Sequence, residues 1–240
     1  MVERNFLLKI DEPIKCWLVW ILVSFACFFC GFLTYHLTLF RHLEDYVEEL
    51  NLNAIHNAAI LNSVLSYKDG SGTRAYMVER IANVFYKRGY GIEEAALCAS
   101  SVYDLYDKHH LPPSLIVAVI DVESGFDKKA VSSERAMGLM QIVPSTGMML
   151  AELNSVKWGD SMLFAPDKNI MLGGYYLAEL RDSYEGKVDS EKVISAALAA
   201  YNAGPGFVNK RITEGLDVQT DYVILILKTE KKYIKDYGLF

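Results

Sequence analysis

From Trp17 to Phe40 the chain runs for 24 residues, WLVWILVSFACFFCGFLTYHLTLF, without one Asp, Glu, Lys or Arg. A bilayer's hydrocarbon core takes about 20 residues of helix, and only a helix satisfies its own backbone groups within a single segment there. The run therefore predicts a transmembrane helix over 17–40. A cleaved leader has a shorter apolar region and ends in small residues. No such site follows, and Val23-Ser24-Phe25-Ala26 before Cys27 is a poor lipoprotein cleavage box. The expectation is an uncleaved anchor. Arg4, Lys9 and Lys15 precede the span, whereas Arg41 alone follows closely, before Glu44, Asp45, Glu48 and Glu49. Lys/Arg excess marks the cytoplasmic side, so 1–16 is expected inside and the rest outside. That predicts one pass through a bacterial cytoplasmic membrane, with His36 near the outer interface.

Beyond the span, 22% charged and 52% hydrophobic residues describe a folded chain rather than a disordered one. A net charge of −6 argues against a nucleic-acid partner, which selects a basic face. Cys16, Cys27 and Cys30 lie in or beside the apolar run, so Cys98 alone is left for the rest of the chain, as a small buried hydrophobe. No disulfide framework or zinc spacing results.

Residues 41–66 read as a helix. Leu43, Val47, Leu50, Ala54, Asn57, Leu61 and Val64 recur at 4-3-4-3 spacing. The stripe suits packing on the chain's own domain and, with Asn57 in the seam, also suits a homodimer through 43–64 or a place in a cell-envelope complex. KDGSGTR (68–74) ends it without phosphate-loop spacing. Helices are predicted at about 74–88, 92–109, 113–124, 145–153, 168–184, 191–203 and 219–236, stopped by Gly89, Gly91, Pro112, Pro113, Gly125, Gly186 and Gly204-Pro205-Gly206. Strand-like alternation is missing. The division expected is a cytoplasmic stretch 1–16, a span 17–40, accessory or stalk helices 41–91, and a mainly α domain 92–240.

At 116–126 the chain reads IVAVIDVESGF. Leu115, Ile116, Val119 and Ile120 recur at core spacing after Pro112-Pro113-Ser114, and Gly125 supplies a C-terminal cap. Glu123 thus falls in the last turn, where the helix dipole and apolar walls both disfavour a negative charge. A carboxyl kept protonated there is a general acid; on this segment alone a solvent-facing glutamate at a frayed helix end fits equally.

After ESGF come Ala130-Val131-Ser132, then AMGLMQIVPST (136–146), PDKNIMLGGYYLAEL (166–180) and AALAAYNAGPGFV (196–208). In order and spacing these blocks resemble lytic transglycosylases of the Slt type, within the lysozyme-like superfamily. The likeness covers roughly 92–230 and implies a lysozyme-like α domain behind the membrane helix, a peptidoglycan substrate, and neither cofactor nor metal. It implies Glu123 as sole catalytic acid/base, Ser132 and Gln141 as binders of the sugar beside the cleaved bond, and Tyr201 against both glutamate and sugar. Asn202 and Gly138 are then cleft scaffold, and Met140, Tyr175 and Tyr176 core. Val143 stands where many members have methionine, Arg135 where many have glycine, and Val218 where glutamate is frequent, which touches the preference for neighbouring sugar or stem peptide.

Asp121 lies two residues before Glu123 and points elsewhere on a helix, while Asp127, Glu134 and Asp167 read as surface charges. Two-carboxylate glycosidases need a partner about 5–9.5 Å away, and none is nominated. In the family the substrate's own N-acetyl group and 6-hydroxyl take that part, giving 1,6-anhydro ends without water. The alternatives are a goose-type lysozyme, which needs a positioned water, and an inactive peptidoglycan-binding scaffold. His109 and His110 are adjacent, no H-E-x-x-H occurs, and a metal enzyme is disfavoured.

Overall fold

The computed structural model describes residues 17, 19–43, 71–159 and 161–239. The stripe Leu43 to Val64 lies outside them, Leu43 excepted. Two compact units divide the chain, Met1–Ala58 and Ala59–Phe240.

In the first unit, helix α1 runs Val19–Leu43, 25 residues with a mean hydropathy of 1.7 and no buried position. Trp20, Phe25, Phe28, Phe32 and Phe40 all face outward. A helix apolar on every side belongs in a protein core or in lipid, and among the described residues of its unit nothing covers this one.

The second unit is all helix among its described residues: α2 Ser71–Tyr86, α3 Ile92–His109, α4 Pro113–Ser124, α5 Pro144–Leu153, α6 Pro166–Tyr184, α7 Val193–Ala203, α8 Pro205–Thr213 and α9 Asp221–Tyr237. Two isolated backbone bridges, Val131 to Met137 and Met137 to Ile142, are the only extended pairing among these described residues. Helix α4 is the axis. Pro113 supplies the pre-set φ of a first turn, and every residue from Pro113 to Ile120 is buried. A helix apolar all round must be wrapped, and α9 and α3 pack on α4. Helix α2 packs on α3 and touches α9, and α7 bridges α6, α8 and α9.

Small residues set the closest approaches. On α6 a side chain at Gly174 would run into Leu105 of α3, and one at Gly173 into Met140. Ala196, Ala197, Ala199 and Ala200 bring α7 into the core. Met140 and Cys98 are fully buried, and Tyr175 and Tyr176 pack half-buried against the core.

The sequence reading located seven of these eight helices and stopped at Gly204-Pro205-Gly206, where α8 in fact begins. Pro205 occupies the first position of α8, where the missing N–H would be unpaired in any case. The breaker of one helix is the starter of the next.

Candidate active site

Glu123 sits in the last turn of α4. Gly125 closes that turn in the left-handed region at φ 58°, its N–H donating to Asp121 O at 3.0 Å. The glutamate is half-buried. Tyr222, in the first turn of α9, donates its hydroxyl to Glu123 Oε1 at 2.5 Å. The other carboxylate oxygen accepts no hydrogen bond among the described residues. Burial raises the Glu123 pKa, and the Tyr222 hydroxyl, which favours the ionised form, opposes the rise. Tyr222 is held protonated, first by its own burial and then by the Glu123 charge, so it remains a donor.

The floor of the site is the loop 130–142. Ser124 Oγ donates to Leu139 O at 2.8 Å and ties the loop to the end of α4. Asn169 of α6, fully buried, serves three backbone groups at once: its Oδ1 accepts from Met140 N at 2.7 Å, and its Nδ2 donates to Met137 O and Leu163 O, both at 2.9 Å. Gly138 makes this possible. Its φ is 75°, and a Cβ there would lie 2.1 Å from Leu163 O and 2.4 Å from Asn169 Nδ2. The expectation of Gly138 as scaffold thus has a physical form: side-chain amide and loop backbone fill the space a larger residue would need.

Tyr201 of α7 donates to Met140 O at 2.7 Å rather than to the glutamate. Its pKa is raised by burial and next by the Glu123 charge, which marks the two as neighbours. Gln141 adopts φ 47° and its Nε2 donates to Gly138 O at 2.9 Å and Ala130 O at 3.3 Å, which leaves its carbonyl end free. Ser132 is exposed; its N–H donates to Ala136 O and its Oγ accepts from Ala136 N, so its hydroxyl hydrogen is unspent. Glu123, Tyr201 and Tyr222 thus converge, Gln141 adjoins them through Met140, and Ser132 stands at the turn of the same loop without bonding to any of them. Asn202 is exposed.

Asp121 is turned away, as its position in the helix predicts. It pairs with Arg88 at 3.1 Å and accepts from Tyr233 at 2.7 Å. Neither it nor any other described carboxylate contributes to the Glu123 shift, whose causes are burial and Tyr222. Of the departures from the family pattern, Arg135 holds φ 61°, the conformation in which a glycine is at ease. Val218 is buried in the core, and Val143 is exposed just before α5.

The Transglycosylase SLT domain family matches residues 103–223, half of the chain and the whole of this site. The chain belongs to that family. Among its curated relatives are proteins named membrane-bound lytic murein transglycosylase C. That of Edwardsiella ictaluri (strain 93-146) is 38% identical over 106 residues, 42% of this chain and 30% of the relative. That of Sodalis glossinidius (strain morsitans) is 43% identical over 100 residues, 40% of this chain and 28% of the relative. The chain spans less than a third of the length of these relatives. The fold also resembles a crystal structure of an inactive mutant of lytic transglycosylase Slt from Pseudomonas aeruginosa. There the TM-score is 0.50 at 21% identity, covering 78% of this chain and 37% of that one. This SLT domain therefore has the helical fold expected from the sequence.

Proposed function

We propose that this chain is a membrane-anchored peptidoglycan lytic transglycosylase cleaving the β-1,4 bond between N-acetylmuramic acid and N-acetylglucosamine. The observation that carries the reading is a half-buried Glu123 whose pKa is raised by burial, with one oxygen held by Tyr222 and, among the described residues, one oxygen free and no carboxylate partner. Such a group can give a proton to the leaving glycosidic oxygen while the acetamido oxygen of the substrate attacks C1. Left as a carboxylate, Glu123 then takes the proton of the 6-hydroxyl, whose oxygen displaces the acetamido group. A 1,6-anhydromuramoyl end results and no water is consumed. Ser132 and the free end of Gln141 are assigned to the sugar, and Tyr201 to the wall between sugar and glutamate.

Mass spectrometry of fragments released from purified peptidoglycan tests this directly. Anhydro ends are expected. Products heavier by one water would make the protein a hydrolase of the goose-lysozyme kind, and no release at all would make it a binding scaffold.

The finer topology belongs to the same proposal. Three cations before α1 and one just after it support a single pass through the cytoplasmic membrane with the SLT domain on the periplasmic side. A reporter active only outside the cytoplasm, fused after Phe240, should give signal; activity of a strictly cytoplasmic reporter there would reverse the orientation. The 4-3-4-3 stripe further supports a homodimer through 43–64. Sedimentation of the detergent-solubilised chain should then give twice the chain mass, and a monomer returns the stripe to packing within its own domain.

A further inference from the structure

The corner between α2 and α3, residues 85–90, lies outside the residues that the family match covers, yet it converges with α9 on the end of the catalytic helix. Arg88 forks onto Asp121, Nη1 to Oδ1 at 3.1 Å and Nη2 to Oδ2 at 3.2 Å, and Nη2 also reaches the Tyr233 hydroxyl at 2.9 Å. Tyr233 donates to the same Asp121 at 2.7 Å, which closes a three-membered network across the α2–α3 corner, α4 and α9. The next residues of the corner hold the chain beyond Glu123. Phe126 carries φ 69°, a conformation that costs a bulky residue about 1–2 kcal/mol, and it is only 5% exposed. Its carbonyl accepts from the Tyr90 hydroxyl at 2.8 Å; its ring meets Phe85 edge-on at 5.3 Å, and the Arg88 guanidinium lies 4.4 Å from its centre.

Glu123 is bracketed. Two residues before it, Asp121 is fixed against rotation about the helix axis by a forked cation and a hydroxyl. Three residues after it, Phe126 is fixed in an unfavourable backbone state by a hydroxyl, a ring and the same cation. A strained residue persists beside a reactive group only where its surroundings over-determine it. We infer that Arg88 and Tyr90 are positioning residues, and that the α2–α3 corner with Tyr233 acts as a clamp setting where the carboxyl of Glu123 points. They touch no substrate and act through Asp121 and Phe126. Acid catalysis depends steeply on such geometry, since a misplacement of about 1 Å can cost about a hundredfold in rate. The inference rests on the acid/base reading of Glu123.

The test uses the full-length chain in detergent acting on soluble, uncross-linked glycan strands, with kcat and KM read from the release of anhydro ends. Tyr90→Phe keeps the ring and deletes one hydroxyl; Arg88→Met keeps the stem and deletes the fork. Both should lower kcat by about 10- to 100-fold with KM unchanged. Arg74→Met, which breaks the 2.8 Å pair to Asp104 from the same α2, should leave kcat alone. Thermal unfolding of each variant gives the comparison. A wild-type kcat in folded Tyr90→Phe and Arg88→Met proteins, or an equal kcat loss in Arg74→Met, overturns the clamp. A wild-type chain that releases no anhydro ends overturns the reading beneath it, so the two failures are told apart.

Discussion

Burying a carboxyl sets its charged form against the stability of the fold that holds it. Burial raises the pKa of Glu123 in the folded state. The folded chain therefore binds the proton more tightly than the unfolded one. The stabilisation is complete below the unfolded carboxylate pKa and is lost as pH rises through the folded pKa. Glu123→Gln removes that dependence and still offers Tyr222 an acceptor oxygen. The variant should release no anhydro ends, a loss at or beyond about 10⁴-fold, because the proposed mechanism gives one group both proton transfers. It should also melt higher than wild type at neutral pH, with the gain vanishing in acid. Equal melting temperatures across pH would mean that the site stores no such cost. Tyr222 gives the complementary sign. Its hydroxyl favours the ionised glutamate, so Tyr222→Phe raises the Glu123 pKa further and moves the high-pH limb of the rate profile upward. With less restraint on the carboxyl, the maximal rate should drop about 10-fold. A limb that stays in place or moves down would show that the 2.5 Å bond does not govern the titration.

Among the elements, the loop 130–142 depends on α6 for its shape. Gly125 and Gly138 both sit in the left-handed region, but a Cβ at Gly125 meets open space whereas one at Gly138 collides with Leu163 O and Asn169. Gly125→Ala should therefore cost about 1–2 kcal/mol, the backbone term alone. Gly138→Ala adds the displacement of Asn169, whose bonds to Met140 N and Leu163 O are buried and cost about 1–3 kcal/mol each when left unpaired. Urea unfolding of the two variants should separate them clearly; equal losses would show that the loop simply shifts aside. This scale also marks what can be read along a chain. The apolar helix with Pro113 at its start, Gly125 at its end and a glutamate in its last turn is local information, and the structure has it at the residues expected. Asn169 is legible only as a member of the block PDKNIMLGGYYLAEL, and nothing local singles out Tyr222. Their work is done across 29 residues to Met140 and 99 residues to Glu123, and no spacing rule within a helix reports a bond made by the fold. Helix α8 was missed for a local reason, because proline both ends and begins helices.

For the molecule as a whole, α4 is at once the core of the SLT domain and the bearer of Glu123, the proposed acid. From Leu115 to Ile120 no residue is more than 1% exposed, and the helices packed on it, α3 and α9, come from opposite ends of the domain's sequence. Backbone amides so enclosed exchange with solvent deuterium only when the entire domain opens, whereas the more exposed α8 and the loop 154–159 exchange through small local openings. The amides of α4 up to Glu123 should thus be the last to exchange, with protection equal to the global unfolding free energy. Rising denaturant should leave activity intact until the cooperative transition itself, with the two curves superimposed. Activity fading well before the fold would mean that the end of α4 frays independently. A domain so built has no partly folded form that keeps α4 intact, and its survival among proteases is set by how often the whole domain opens.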